Sequence, residues 1–327
     1  SEEFPDDVHL YMVPPALAES DPDIIWRLRR PLYGLTTAPK LWADTLKHFL
    51  EDSGWSPVAF EDCIWTKSTP SGYRMLLYVF VDDILISYSD ADRNEAVAWK
   101  QSFLNRFEAK DLGPVKRFLG VNVERDWAKG TLRLHQTDYI QDLLERFGLE
   151  SGNPVSTPLT PHVSLSKDDS PDTPDPILGS KYREVVGALT WLATATRPDL
   201  AHATAVLGAF SSNPGQAHWN EAFHCLRYLI NTSDLGITYT RDAAAPSPNM
   251  QNHLFGFCDA DWAACVDTRR SIGAYVLFLN GGAIAWRSKK QTCIAHSTCE
   301  SEWMAASDTA LTVLWLRRIL HDMGASQ

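Results

Sequence analysis

Six cysteines, Cys63, Cys225, Cys258, Cys265, Cys293 and Cys299, form no CxxC pair. That argues against a structural zinc or a disulfide scaffold and for a reduced intracellular setting. Long apolar runs are missing as well: none approaches the ~20 residues of a membrane span, and Ser1 opens an acidic stretch rather than a signal peptide. Positive charge is in deficit. Lys and Arg number 30 against 41 Asp and Glu, a net charge of -11, so no global field draws the chain to nucleic acid or an anionic membrane. A polyanion would have to be held by local basic clusters. Nor do His135, His162, His202, His218, His224 and His253 show a paired spacing such as HxxxH, which argues against metal binding by histidine.

What is present is a globular composition: 327 residues, 44% apolar, with 12 Trp, enough for two or three domains with their own cores. The Pro-, Ser- and Asp-rich stretch from Ser151 to Pro176 lacks periodicity and predicts a linker, placed at 156–176. AAAPSPNMQN, 243–252, predicts a second one. Three segments remain, 1–155, 177–242 and 253–327. The middle one has helical periodicity, with Pro198 placed to open a second helix and HWNEAFHCLRYLINTS repeating large apolar groups every three or four residues. The last predicts short strands in HLFGFCDADW, GAYVLFLNGG and AIAWRSKK, then a helix from about Ser297 to Asp322.

One run breaks its own pattern. In LLYVFVDDILIS, Leu76 to Ser87, two aspartates interrupt β-branched and aromatic residues. Strands over Met75–Phe80 and Ile84–Ile86, with Asp82 and Asp83 at the hairpin turn, would project both carboxylates from one end. Two adjacent hard oxygen ligands suit Mg²⁺, which takes one or two carboxylates plus substrate phosphates. A bare Asp-Asp pair between strands is more often an ordinary turn, so the flanking sequence has to decide.

That flanking sequence resembles the reverse transcriptases of copia-type LTR retrotransposons. FVDD is similar to the family's xVDD motif, with Phe80 where Tyr is usual, so the ring is kept and the hydroxyl lost. DDVHLYMVPP, RRPLYGLTTAPKLW and AKDLGPVKRFLGVNVERDWAKGTLRLHQTDYIQDLLERFGL resemble polymerase segments. KYREVVGALTWLATATRPDLAHATAVLGAFSSNP and HWNEAFHCLRYL resemble the connecting region, and GFCDADWA, RRSIGAYVLFL, WRSKKQ and STCESEWMA the RNase H region, all in the family's order.

The resemblance implies an α+β fold: a right-hand polymerase palm and thumb over 1–155, a helical connection, and an RNase H-like α/β domain over 253–327 cut short at its end. It implies an RNA-directed DNA polymerase using two-metal phosphoryl transfer with Mg²⁺, or Mn²⁺, on dNTPs and an RNA or DNA template with its primer, beside an RNase H acting on RNA–DNA hybrid. Asp82 and Asp83 match two of three polymerase carboxylates; the third is expected upstream of what residues 1–15 resemble. Asp259, at the end of a strand, matches the first nuclease carboxylate. Glu302, heading EWMAAS, is preferred as the second over Glu300, which sits about 200° away around the helix. Asp261 is held in reserve as a turn residue, and Asp308, roughly 240° on from Glu302, reads as a solvated helix face. The third nuclease carboxylate is expected on a strand after this helix. Cytoplasmic particles with later nuclear entry follow from the family, and no targeting signal decides it.

Other positions keep two readings. Thr37 stands where the family has Gln near the incoming nucleotide, and LYGLTTAPK reads equally as a Gly turn into a helix beginning near Pro39. Arg27, Arg29, Arg30 and Lys40 form the best local basic cluster, either for phosphate or as a solvated face. Ser288, Lys289 and Lys290 read as backbone contacts to a hybrid or as a polar loop. Trp191, Trp219, Trp286, Trp303 and Trp315 sit in apolar periodic contexts and predict core positions. Two functional classes stand: a polymerase segment, weak or inactive by itself, or a decayed or co-opted remnant that binds nucleic acid or a partner without catalysis. Oligomeric state is not legible.

Overall fold

A computed structural model describes residues 9–15, 21, 23–30, 32, 34–241, 253–325 and 327. The acidic opening and the linker predicted at 243–252 lie outside the described residues. The fold is mixed α+β with several antiparallel sheets, and it divides into two compact units, 1–113 with 317–326, and 114–316 with 327. That division falls inside the segment the sequence assigns to a single domain, 1–155.

In the first unit a short ribbon pairs β1 (Leu10–Met12) with β2 (Trp26–Leu28). Helix α1 (Ala38–Asp52) follows, with Pro39 in its first turn, where a missing N–H costs nothing. It stops at Ser53 and Gly54, whose φ of +81° is the left-handed conformation that closes helices. An antiparallel sheet in the order β3-β4-β5-β6 comes next: β3 (Ser56–Val58), β4 (Glu61–Ser68), β5 (Arg74–Phe80) and β6 (Asp83–Ser87), then helix α2 (Arg93–Arg106). The strands predicted around the two aspartates are β5 and β6. Along β5 the two-residue period buries Met75 and Leu77 against Leu46 and Leu50 of α1 and Trp99 and Phe103 of α2, with Trp55 and Trp65 completing the core.

In the second unit β7 (Arg117–Phe118), β8 (Val121–Asp126), β9 (Thr131–His135) and β10 (Gly236–Thr240) form an antiparallel sheet. Helices α3 (Thr137–Arg146), α4 (Pro176–Ala195), α5 (Ala201–Gly208) and α6 (Gln216–Ile230) share one apolar core. Pro198 opens a single 3-10 turn, Pro198–Leu200, that leads into α5. Arg197 is 1% exposed there, held by Asp199 at 2.8 Å and the Thr232 carbonyl at 2.8 Å.

The stretch 156–176 has little regular structure but is not a free linker. Leu165 joins the helical core, Thr160 bonds Glu221, and the sealed His218 accepts the Gly215 N–H and donates to the Ser166 carbonyl at 3.0 Å. A run without periodicity can still be pinned by side chains distant in sequence.

A last antiparallel sheet, β11 (Phe255–Asp261), β12 (Ile272–Leu279) and β13 (Gly282–Lys290), precedes helix α7 (Thr298–Asp322), whose final turns from Arg317 group with the first unit. The β12–β13 connection is Asn280-Gly281, φ +51° and +80°, the primed turn that tight hairpins favour. Among the described residues no helix is long and apolar enough to cross a membrane.

Candidate functional site

Phe80 pairs with Asp83, so the β5–β6 hairpin closes through a two-residue turn, Val81-Asp82. Asp82 therefore occupies the turn, and Asp83 is the first residue of β6 rather than a second turn residue. Phe80 ends β5 and is 47% exposed. Both carboxylates are exposed, and among the described residues neither has a hydrogen-bond or ion-pair partner, so their lone pairs stay available to a ligand.

Val81 has φ +56°, a conformation that a β-branched residue adopts at a cost of roughly 1–3 kcal/mol. Its carbonyl is held by the Trp42 indole N–H at 2.6 Å. Trp42 lies in the second turn of α1 and packs edge-on to Phe107 at 5.4 Å. This hydrogen bond ties the start of α1 to the aspartate turn. Thr37 caps α1 through its backbone without a side-chain cap bond, and Lys40 is exposed one turn on. Trp42 and Val81 were missed in the sequence, where the tryptophan reads only as part of a family segment. Arg27 is turned to His9, with Nη2 at 2.7 Å from Nδ1, while Arg29 and Arg30 are exposed.

As a cation site the turn offers two carboxylates side by side, which fits one Mg²⁺ completed by substrate phosphates. A clamp for two cations needs more donors, and among the described residues no group of three or more His, Cys, Asp and Glu side chains is gathered.

The other predicted pair is not brought together. Asp259 is exposed on β11 with Ala274 as its register partner on β12. The neighbours of Ala274 face α7: Ala305 lies 3.5 Å from where a Gly273 Cβ would be, and Tyr275 meets Thr312 through their hydroxyls at 3.3 Å. Arg287, opposite Tyr275, pairs with Asp308 of α7. On the reverse face Trp286 donates to the Ala193 carbonyl at 2.6 Å. Alternation along the strands places Asp259 on that reverse face, away from α7 and Glu302. Glu302 is exposed. Glu300 is engaged as a helix cap, accepting the His296 N–H at 2.6 Å, and Asp308 is an ion-pair partner rather than a merely solvated residue.

The tryptophans divide. Trp286 is half-buried and Trp219 packs against the helical core, but Trp303 is 72% exposed, with Trp315 at 40% and Trp191 at 38%. The apolar periodicity of α7 does not separate its sheet-facing side, Ser301, Ala305 and Thr309, from its outer one.

Comparison with known proteins gives the lineage. Residues 4–161 match the family model described as "Reverse transcriptase (RNA-dependent DNA polymerase)". A retrovirus-related Pol polyprotein from transposon TNT 1-94 of Nicotiana tabacum is 34% identical over 307 residues, 93% of this chain and 22% of that protein. One from transposon RE2 of Arabidopsis thaliana is 31% identical over 322 residues, 98% of this chain and 21% of that one. The chain belongs to the copia-type retrotransposon Pol family. An uncharacterized mitochondrial protein of Arabidopsis thaliana is 33% identical over 241 residues, 74% of this chain and 94% of that protein. This copia-type chain thus spans about a fifth of the length of the Pol polyproteins it matches. No solved structure matches it. Within the copia-type reverse transcriptase region, 4–161, lie Thr37, Lys40, Phe80, Asp82 and Asp83, whereas Asp259 and Glu302 fall beyond it.

Proposed function

We propose that the β5–β6 turn is the cation-holding element of an RNA-directed DNA polymerase, with Asp82 and Asp83 as carboxylate ligands of Mg²⁺ or Mn²⁺ and a dNTP as the phosphate donor. A cation bound there neutralises charge on the phosphates during phosphoryl transfer. The chain's own residues do the positioning: Trp42 fixes the strained turn, and Phe80 offers a ring beside it. Thr37 and Lys40, at the start of the helix that carries Trp42, are the residues that would meet the nucleotide or template phosphate. The single observation that carries the reading is the two-residue turn exposing two unengaged carboxylates on a strained, externally braced backbone.

With no third carboxylate gathered at the turn among the described residues, the reading predicts cation-dependent dNTP binding but slow primer extension, since an incomplete preorganised site loses several kcal/mol of transition-state stabilisation. Titration of a dNTP into the chain with Mn²⁺ tests this. Asp82→Asn and Asp83→Asn are each expected to weaken binding at least about tenfold, about 1.4 kcal/mol. Binding that is indifferent to both substitutions overturns the assignment.

A second reading attaches to residues 253–327. Three antiparallel strands followed by a helix support an RNase H-like ancestry. The opposite facing of Asp259 and Glu302 speaks against the two sharing a nuclease cation. Lys289 and Lys290 on β13 are the residues that would meet the backbone of an RNA–DNA hybrid, giving weak, salt-dependent binding.

A further inference from the structure

A cleft of about 200 Å³ opens in the second unit between the β8–β9 turn, the end of β10 and the β12–β13 turn, lined among others by Arg125, Trp127, Tyr239, Arg241 and Asn280. Trp127 is 66% exposed at the hairpin, and the Arg125 guanidinium lies over its ring at 3.7 Å from the centroid. One face of the indole is thereby braced and charged, and its exposure leaves the other open to a flat partner.

Arg241 is anchored beside it, its backbone N–H donating to the Gly130 carbonyl at 2.9 Å. The one acid in the cleft, Asp126, is offset by the Lys129 N–H at 3.0 Å and its ammonium at 3.5 Å, and these hold its carboxyl below the usual range. Two guanidinium groups therefore set the local charge in a chain whose net charge is -11. Asn280 lines the cleft from the β12–β13 turn, its carbonyl accepting the Thr240 N–H at 2.8 Å.

From this juxtaposition we infer that the cleft binds a nucleotide unit, stacking its base on Trp127 and holding its phosphate with Arg125 and Arg241. A single strand and a free nucleotide share this chemistry. The inference rests on the nucleic-acid reading above but uses none of the residues at the aspartate turn.

The test is fluorescence anisotropy of a labelled oligothymidylate about twelve nucleotides long, a length within the usual range for one strand-binding site. Trp127→Ala is expected to weaken binding about five- to a hundredfold, as loss of one base–aromatic stack does, and Trp127→Phe to restore most of it. Arg125→Gln and Arg241→Gln should each lower the salt slope by about 0.7, the single-strand value for one phosphate contact. Competition by thymidine monophosphate identifies a free nucleotide as the ligand; competition only by unlabelled oligothymidylate identifies a strand. The inference falls if wild type does not bind, or if Trp127→Ala and the arginine variants bind as wild type does. Because none of the cleft residues lies at the aspartate turn, Asp82→Asn and Asp83→Asn should leave oligothymidylate binding measured with EDTA unchanged, so failure here is separable from failure at Asp82 and Asp83.

Discussion

The two carboxylate pairs of this molecule were suggested by the same kind of resemblance, and they fare differently in three dimensions. Asp82 and Asp83 are adjacent in sequence, so both stay exposed at one end of the hairpin, and the Trp42 bond braces its turn. Asp259 and Glu302 are distant in sequence and depend on which face of β11 meets α7; a one-residue step in that register would move Asp259 to the other side. A pair of neighbours needs only local geometry, whereas a pair of distant residues is only as good as the packing between its elements.

The strongest way to break the comparison is to damage each unit separately. Leu77→Ala removes a fully buried side chain from β5 and should destabilise the first unit by about 2–5 kcal/mol in urea unfolding, taking dNTP binding with it. Arg197→Ala strips the buried guanidinium from the Thr232 carbonyl and from Asp199, which is 34% exposed and keeps the Tyr228 hydroxyl, and should cost the second unit about 1–3 kcal/mol. At urea concentrations that leave the first unit folded, dNTP binding should persist in Arg197→Ala. Its loss there would mean that the aspartate turn depends on the second unit after all.

A smaller effect sharpens the account of the turn. Trp42→Phe deletes the hydrogen bond to Val81 and should destabilise the first unit by about 0.5–1.5 kcal/mol. It should also weaken dNTP binding, because the left-handed Val81 is no longer braced. An unchanged affinity would show that the turn holds itself.

The smallest effect concerns chemistry within the second unit. Burial raises the Cys265 thiol, but Lys290 and Thr268 outweigh it and bring the group down to about 7. Cys225, sealed in the helical core, is pushed by burial up to about 12. Alkylation of Cys265 should rise through a midpoint of about pH 7, fast above it and slow below, while Cys225 resists until the core opens. Equal rates at the two cysteines would contradict the packing around β13 and α6.

Much of this was legible in the sequence, and the reasons are local. β-Branched and aromatic runs bounded by turn residues marked β5, β6 and the strands of the last sheet, three- and four-residue spacing marked α6, and α7 was expected nearly to its ends. Periodicity could not say which face of a helix stays uncovered, so Trp303 and Trp315 were misread as core. Composition could not reveal that 156–176 is pinned by Glu221, His218 and Leu165. Nor does a string of letters distinguish Val81-Asp82 from Asp82-Asp83 as the turn, because register is settled by pairing across the whole hairpin. Trp127 escaped notice because an isolated tryptophan in a turn carries no pattern at all.

The most direct measurement is a Mn²⁺ titration followed by electron paramagnetic resonance on the whole chain and two variants. If the turn is the cation site and the distant pair is not assembled, Asp83→Asn removes a site of bound Mn²⁺, while Asp259→Asn leaves the count and affinity unchanged. A site lost in Asp259→Asn, with Asp83→Asn binding as wild type does, would contradict the account.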